Sequence, residues 1–150
     1  MIRFTITTDI DRPVGDVFAY VTDPQKLPTW QTNTVSVAQE GDGPLRVGTR
    51  LREVHRGPGG KELPSLVEVS ELDPDRTFAM RMLEGPLPIH GRIELAPAGS
   101  GTRMAFTAHG EPTGLMRVAQ PLLRVGIKRQ FARHCANLKD VMEGRTLGAS

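Results

Sequence analysis

"DVFAYVTDPQKLPTW", residues 16–30, sets the problem of the fold: an amphipathic helix runs into a proline, turns, and ends on the chain's single tryptophan. Upstream, Asp11 is placed as an N-cap, and Pro13 in the first turn loses nothing by lacking an N–H. Val14, Val17, Phe18 and Val21 then share one helical stripe, while Asp16 lies on the polar side. The helix must stop before Pro24, because the residue ahead of a proline is pushed out of the α region. Residues 25–30 have room for only about one more turn. Ahead of the helix, Ile2, Phe4 and Ile6 alternate with Arg3, Thr5 and Thr7, the pattern of a strand buried on one face and wet on the other.

From about residue 34 to residue 110 the period is two. The clusters "EGDGP", "RGPGG", "LDPDR", "EGPLP" and "APAGSG" punctuate about five or six antiparallel strands. Val35 and Val37 share a face, as do Leu51, Glu53 and His55, opposed by Arg50, Arg52 and Arg56. Leu63, Ser65, Val67 and Val69 follow, then Phe78, Met80 and Met82, then Ile89, Gly91, Ile93 and Leu95, then Met104, Phe106 and Ala108. Such a meander has one apolar and one solvated face, and the apolar face needs a cover. Residues 115 to about 143 supply it, with Leu123, Ile127, Phe131, His134, Leu138 and Val141 at helical spacing over roughly 40 Å. Pro121 either kinks this helix or marks its start after a short helical lead-in. Gly144 is read as the terminator and residues 145–150 as a frayed tail.

The 150 residues, 38% hydrophobic and 24% charged, suffice for one core that buries roughly two-thirds of the unfolded surface, so residues 1–144 are read as a single domain. A net charge of +2, with basic residues spread along the chain and only seven aromatic side chains, argues against nucleic acid as a partner. No stretch approaches the roughly 18 apolar residues of a membrane span, and the alternating first residues are unlike a signal peptide. A cytoplasmic location is expected, which the lone cysteine, Cys135, suits. The four histidines, His55, His90, His109 and His134, lack metal-ligand spacing, and His90 and His109 have outward parity; no metal and no cofactor is expected. Nucleophile-elbow and phosphate-loop motifs are absent from the sequence.

In its order of strand, two short helices, long meander and long C-terminal helix, the chain resembles the helix-grip fold of the START-like, or SRPBCC, superfamily. More narrowly, it is similar to the polyketide cyclase/dehydrase branch. The likeness is carried by "VFAYVTDPQKLPTW", "VGTRL", "VSELDPDRTFAMR", "GSGTRM" and "LKDVMEG", in that order and spacing. The resemblance implies an α+β fold: a curved antiparallel sheet of about six to seven strands, two short helices plugging one end, and a long helix across the concavity with a cavity beneath it. Leu27, Pro28 and Trp30 would then close the mouth of that cavity. Trp30 offers a broad apolar face and one N–H donor to a ligand, or else completes the core.

His134 falls mid-stripe on the long helix and so points at the sheet, while Glu53 and His55 share the parity of Leu51. A mainly apolar cavity holding Glu53, His55 and His134 could orient a polar ligand group or transfer a proton. The plainer alternative is a helix histidine satisfied by a backbone carbonyl, beside a simple buried Glu–His pair. Met80, Met82 and Met104, with Met116 as a further candidate, suit a pocket for flexible hydrophobic ligands, or fill a core. Val67, Phe78 and Phe106 from the strands and Leu123, Ile127 and Phe131 from the helix complete the candidate lining.

The expected function is to bind a hydrophobic or aromatic small molecule, lipid- or polyketide-like, as a monomer or homodimer. An alternative is a polyketide cyclase, aromatase or dehydrase-like enzyme in which Glu53, His55 or His134 assists enolisation or water loss. A second is a protein-interaction domain like the Hsp90 activators of the same fold, which calls for a large exposed apolar patch and no enclosed cavity. Fold alone does not choose among them.

Overall fold

The opening strand β1 (Ile2–Ile10) buries Ile2, Phe4 and Ile10, as its parity dictates. The helix α1 (Val14–Val21) buries Val17 and Val21 and ends ahead of Pro24, its last turn closed by the Thr22 hydroxyl donating to the Phe18 carbonyl at 2.7 Å. Its start differs from expectation. Pro13 is itself the extended residue before the helix (φ −59°, ψ 151°), so no side chain caps it, and the Asp11 backbone N–H donates to Glu143 Oε2 at 2.8 Å. The Asp23 carboxylate then accepts from the Gln25 N–H at 3.0 Å, capping a 3-10 turn over Pro24–Lys26 that leads straight into the four-residue α2 (Leu27–Trp30). The structure is a computed structural model that describes residues 1–86 and 88–144, so the expected tail, 145–150, lies outside the described residues.

Six further strands follow: β2 (Thr34–Gln39), β3 (Arg50–Arg56), β4 (Glu62–Asp73), β5 (Thr77–Glu84), β6 (Ile89–Ala98) and β7 (Gly101–Gly110). Together with β1 they form one antiparallel seven-stranded curved sheet in the order β1-β7-β6-β5-β4-β3-β2, and with the helices an α+β helix-grip fold. The register stacks inward residues into rows across the strands. One row runs Val69, Met80, Gly91, Ala108 and Phe4; the next runs Phe78, Ile93, Phe106 and Ile6. β2 departs from simple alternation: a register shift between Thr34 and Ser36 makes Val35 an extra, exposed residue, so Thr34 and not Val35 shares the inner face with Val37.

The outer face of the sheet is laced by ion pairs between neighbouring strands. Asp9 meets Arg103 directly across β1 and β7 at 2.9 Å, Glu68 of β4 receives both Arg50 and Arg81, and Glu71 pairs with Arg92 at 3.0 Å. Each such exposed pair contributes little stability, about 0–1 kcal/mol, but together they match Arg50, Arg81, Arg92 and Arg103 to carboxylates.

The long helix α3 (Gln120–Met142) begins one residue before Pro121, where the missing N–H has no helical partner to lose, and a 3-10 turn over Gly114–Arg117 precedes it. It ends at Met142, with Glu143 as the cap, just ahead of Gly144, whose φ of +78° suits a residue without a side chain. The C-terminal half buries His134, Cys135, Leu138 and Met142. A polar clasp fastens that end to the β1–α1 junction: Lys139 Nζ donates to the Asp9 carbonyl at 2.6 Å and pairs with Glu143 at 2.8 Å, and Arg12 Nη1 donates to the Met142 carbonyl at 3.0 Å. In the N-terminal half, Leu123, Ile127 and Phe131 face the sheet but are only half-buried. Among the described residues no helix is long and apolar enough to cross a membrane.

Candidate functional site

A partly open cavity of about 130 Å³ lies between the sheet, α2 and the middle of α3, which contributes Phe131 to its wall. Its origin is legible in the inner rows. At Gly91, opposite Met80, the sheet presents no side chain, and a Cβ built there would sit 3.4 Å from Phe106 Cζ, inside space now empty. Phe131 roofs this gap by stacking on Phe106, with ring centroids 5.0 Å apart, and tilting against Phe4 at 6.1 Å.

Of the expected lining, Trp30, Glu53, His55, Val67, Phe78, Met80, Met82, Phe106 and Phe131 are on the cavity wall. Val21, Leu27, Gln31, Ile89, Gly91 and Ile93 complete it. Met104, Leu123, Ile127 and His134 are not on that wall. Met104 is fully buried opposite Leu95 and serves the core, and Leu123 and Ile127 pack on the core's edge. Met116 is exposed on the turn before α3. Gln31 carried no periodic signal, and Gly91 acts through what it lacks, which parity alone does not reveal.

One end of the cavity is polar. Glu53, only 4% exposed, places Oε1 2.9 Å from His55 Nε2, and His55 Nδ1 lies 3.3 Å from the Thr34 hydroxyl. An ionised Glu53 accepts the Nε2 proton, which leaves Nδ1 to accept from Thr34. Three buried atoms at this end have no partner among the described residues: Glu53 Oε2, the Ser65 hydroxyl directly opposite Glu53 on β4, and the Trp30 indole N–H. Each unpartnered buried group costs about 1–3 kcal/mol, so their gathering on and beside one cavity calls for an explanation.

His134 lies behind this wall, edge-on to Phe131 with centroids 5.6 Å apart, and its Nδ1 has no partner among the described residues. Burial, reinforced by the nearby His55 and Arg133, pushes its pKa down to about 4, against a hydrogen bond to the Trp30 backbone that favours the cation. The ring is therefore neutral at pH 7. The Trp30 carbonyl also accepts from Asn137 Nδ2 at 3.2 Å, which ties α2 to α3. Cys135 is inert, since burial raises its thiol pKa to about 12 despite a hydrogen bond with Thr8. A second imidazole pair, His90 and His109, meets at 5.2 Å on the outer face; His90 Nδ1 accepts from the Met82 N–H, and burial, then His109 and Arg81, lower its pKa. Among the described residues no group of three potential ligand side chains could hold a metal ion.

Comparison with known structures reproduces this architecture. The protein TTHA0849 from Thermus thermophilus superposes with a TM-score of 0.80 at 20% identity, covering 95% of this chain and 97% of its own. Protein Ms6760 of Mycobacterium smegmatis gives 0.72 at 16% identity over 95% and 92% of the two chains, and Ara h 8.0201 gives 0.69 at 15% over 95% and 98%. At such identities the likeness establishes the fold alone. No protein of curated function matches the sequence. The family model described as "Polyketide cyclase / dehydrase and lipid transport" matches residues 1–143, nearly the whole of the described chain. By that match this chain belongs to the polyketide cyclase/dehydrase and lipid transport family.

Proposed function

We propose that the chain binds a hydrophobic or aromatic small molecule in the cavity between sheet and α3, with the ligand's polar group directed at the Trp30–Glu53–His55 end. The observation that carries this reading is an apolar hollow with buried, unpartnered hydrogen-bonding atoms collected at one side of it. Pockets for small molecules combine these two features, apolar walls for affinity and a few fixed polar groups for orientation.

Size limits what fits. At about 130 Å³ the hollow is close to the roughly 150 Å³ cavity that holds a benzene ring, and well below the roughly 300–1,000 Å³ of pockets for larger ligands. Burying roughly 150 Å² of ring surface at about 25 cal/mol per Å² supplies about 4 kcal/mol, a millimolar affinity. Useful affinity therefore needs the polar end, or a larger lipid- or polyketide-like ligand that lifts the N-terminal half of α3. Phe131, half-buried above the gap, and the adaptable Met80 and Met82 are suited to such an adjustment. The same reading places one binding domain over residues 1–144, acting in the cytoplasm as a monomer or homodimer.

Native mass spectrometry of protein purified from its own host tests this. A co-purifying small molecule is expected in the wild type and is lost in Gly91→Leu, whose backbone tolerates a side chain that occupies the hollow. Empty protein in both cases, with no thermal shift from aromatic and acyl-chain compounds, would overturn the reading. The Glu53–His55 contact also supports a second reading, a cyclase- or dehydrase-like catalyst in which the pair moves a proton on a bound carbonyl compound. Glu53→Gln separates the two: a catalyst loses turnover while keeping ligand affinity, and a binder loses affinity only.

A further inference from the structure

α3 carries a second stripe, on the side away from the sheet, that the cavity does not use. Leu115, Val118, Leu122 and Val125 recur at helical spacing through the 3-10 turn and the start of α3, and they are 90%, 84%, 79% and 53% exposed. At about 100° per residue Leu122 and Val125 lie opposite Leu123, Ile127 and Phe131, and the preceding turn leaves Leu115 and Val118 in solvent. Farther along the same outer side stand Arg129 and Arg133, with Arg117, Arg124 and Lys128 flanking the stripe. All five cations are exposed, and none makes an ion pair among the described residues. From residue 112 to residue 139 the sequence contains no Asp or Glu. On the sheet Arg50, Arg52, Arg81, Arg92 and Arg103 are each matched to a carboxylate, whereas these five cations are not.

We infer that this face docks on an anionic lipid surface, with Leu115, Val118, Leu122 and Val125 entering the acyl boundary and the five cations meeting lipid phosphates. Leucine and valine at the tip, a run of positive charge behind them and low overall hydrophobicity are the properties of a helix that lies on a membrane without crossing it. Charge selects this occupant over the others. A second copy would bring positive segment against positive segment. A stable protein interface takes roughly 20–30 residues a side with aromatic anchors, and this stripe has four aliphatic side chains and no aromatic one. The inference goes beyond the ligand reading and does not depend on it, although the same helix carries Phe131 over the cavity.

Vesicle co-sedimentation tests it, using phosphatidylcholine alone or mixed with phosphatidylglycerol, with circular dichroism as the check on folding. The full chain binds the anionic vesicles at least about tenfold more tightly than the neutral ones, and salt weakens the binding. Leu122→Glu with Val125→Glu abolishes it, and Arg124→Gln with Lys128→Gln lowers it roughly 25-fold, at about fivefold per cation. All four positions are exposed, so these variants fold. Equal binding to both vesicle types overturns the inference. So does a dimer, seen by light scattering, that Leu122→Glu splits into monomers, and so does a failure to bind either vesicle, which would leave a protein as the partner.

Discussion

The two halves of α3 use similar residues at the same spacing toward the same sheet, yet they do different work. Leu138 is wholly buried, while Ile127, three turns earlier, is half-buried. The difference lies beneath them. The C-terminal half sinks Cys135, Leu138 and Met142 into the same core cluster as Met104 and Leu95, and the clasp from Asp9, Asp11 and Arg12 holds the helix down. Beneath Phe131, at the middle of the helix, the sheet offers Gly91, and a hollow remains. Burial along one helix thus reports what the facing strands supply, and periodicity does not set it.

Truncation probes this contrast most strongly. Leu138→Ala loses about 2–5 kcal/mol of unfolding free energy, while Ile127→Ala loses under about 1.5 kcal/mol because its side chain is only half-buried at the core's edge. Urea denaturation measures both, and equal losses would break the distinction between the halves. Acid sharpens it next. With its pKa held near 4, below the ordinary 6.5, His134 stays neutral in the folded chain while the unfolded chain takes up a proton. Stability is therefore full above about pH 6.5 and falls as the pH drops toward 4, by up to about 3 kcal/mol. His134→Leu flattens that slope and keeps or raises stability at pH 7, since the Trp30 carbonyl retains Asn137. A slope that survives the substitution would assign it to other groups.

A smaller effect comes from filling the hollow. Gly91→Leu weakens ligand binding at least about tenfold and leaves the protein as stable or more so by about 1 kcal/mol, as thermal shift with and without ligand shows. The smallest belongs to the clasp. Glu143→Gln removes an ion pair with Lys139 and weakens the contact with the Asp11 N–H, a loss of about 1 kcal/mol in the same urea assay.

Much of this was legible in the sequence because it depends on local rules. Val14, Val17 and Val21 on one stripe and Pro24 at its limit define α1, and Pro121 marks where α3 begins. Strand parity brought Glu53 and His55 to one face, and helix phase turned His134 toward the sheet. What escaped was non-local. The bulge at Val35 depends on how β2 pairs with β3, and nothing in the order of its residues announces it. That His134 and Met104 sit outside the cavity wall depends on the depth to which α3 packs. The outward stripe from Leu115 to Val125 was present in the sequence, but the inward stripe alone accounts for a helix lying on a sheet.

The clasp makes α3 a beam secured at one end. Deflection of such a beam grows with distance from its anchor, so thermal motion is smallest at Met142, larger at Phe131 over the hollow, and largest at Gln120. Backbone amides along the helix then exchange with deuterium in a graded order, from the residues near 120 toward those near 140, and an occupant wedged beneath Phe131 slows the early ones first.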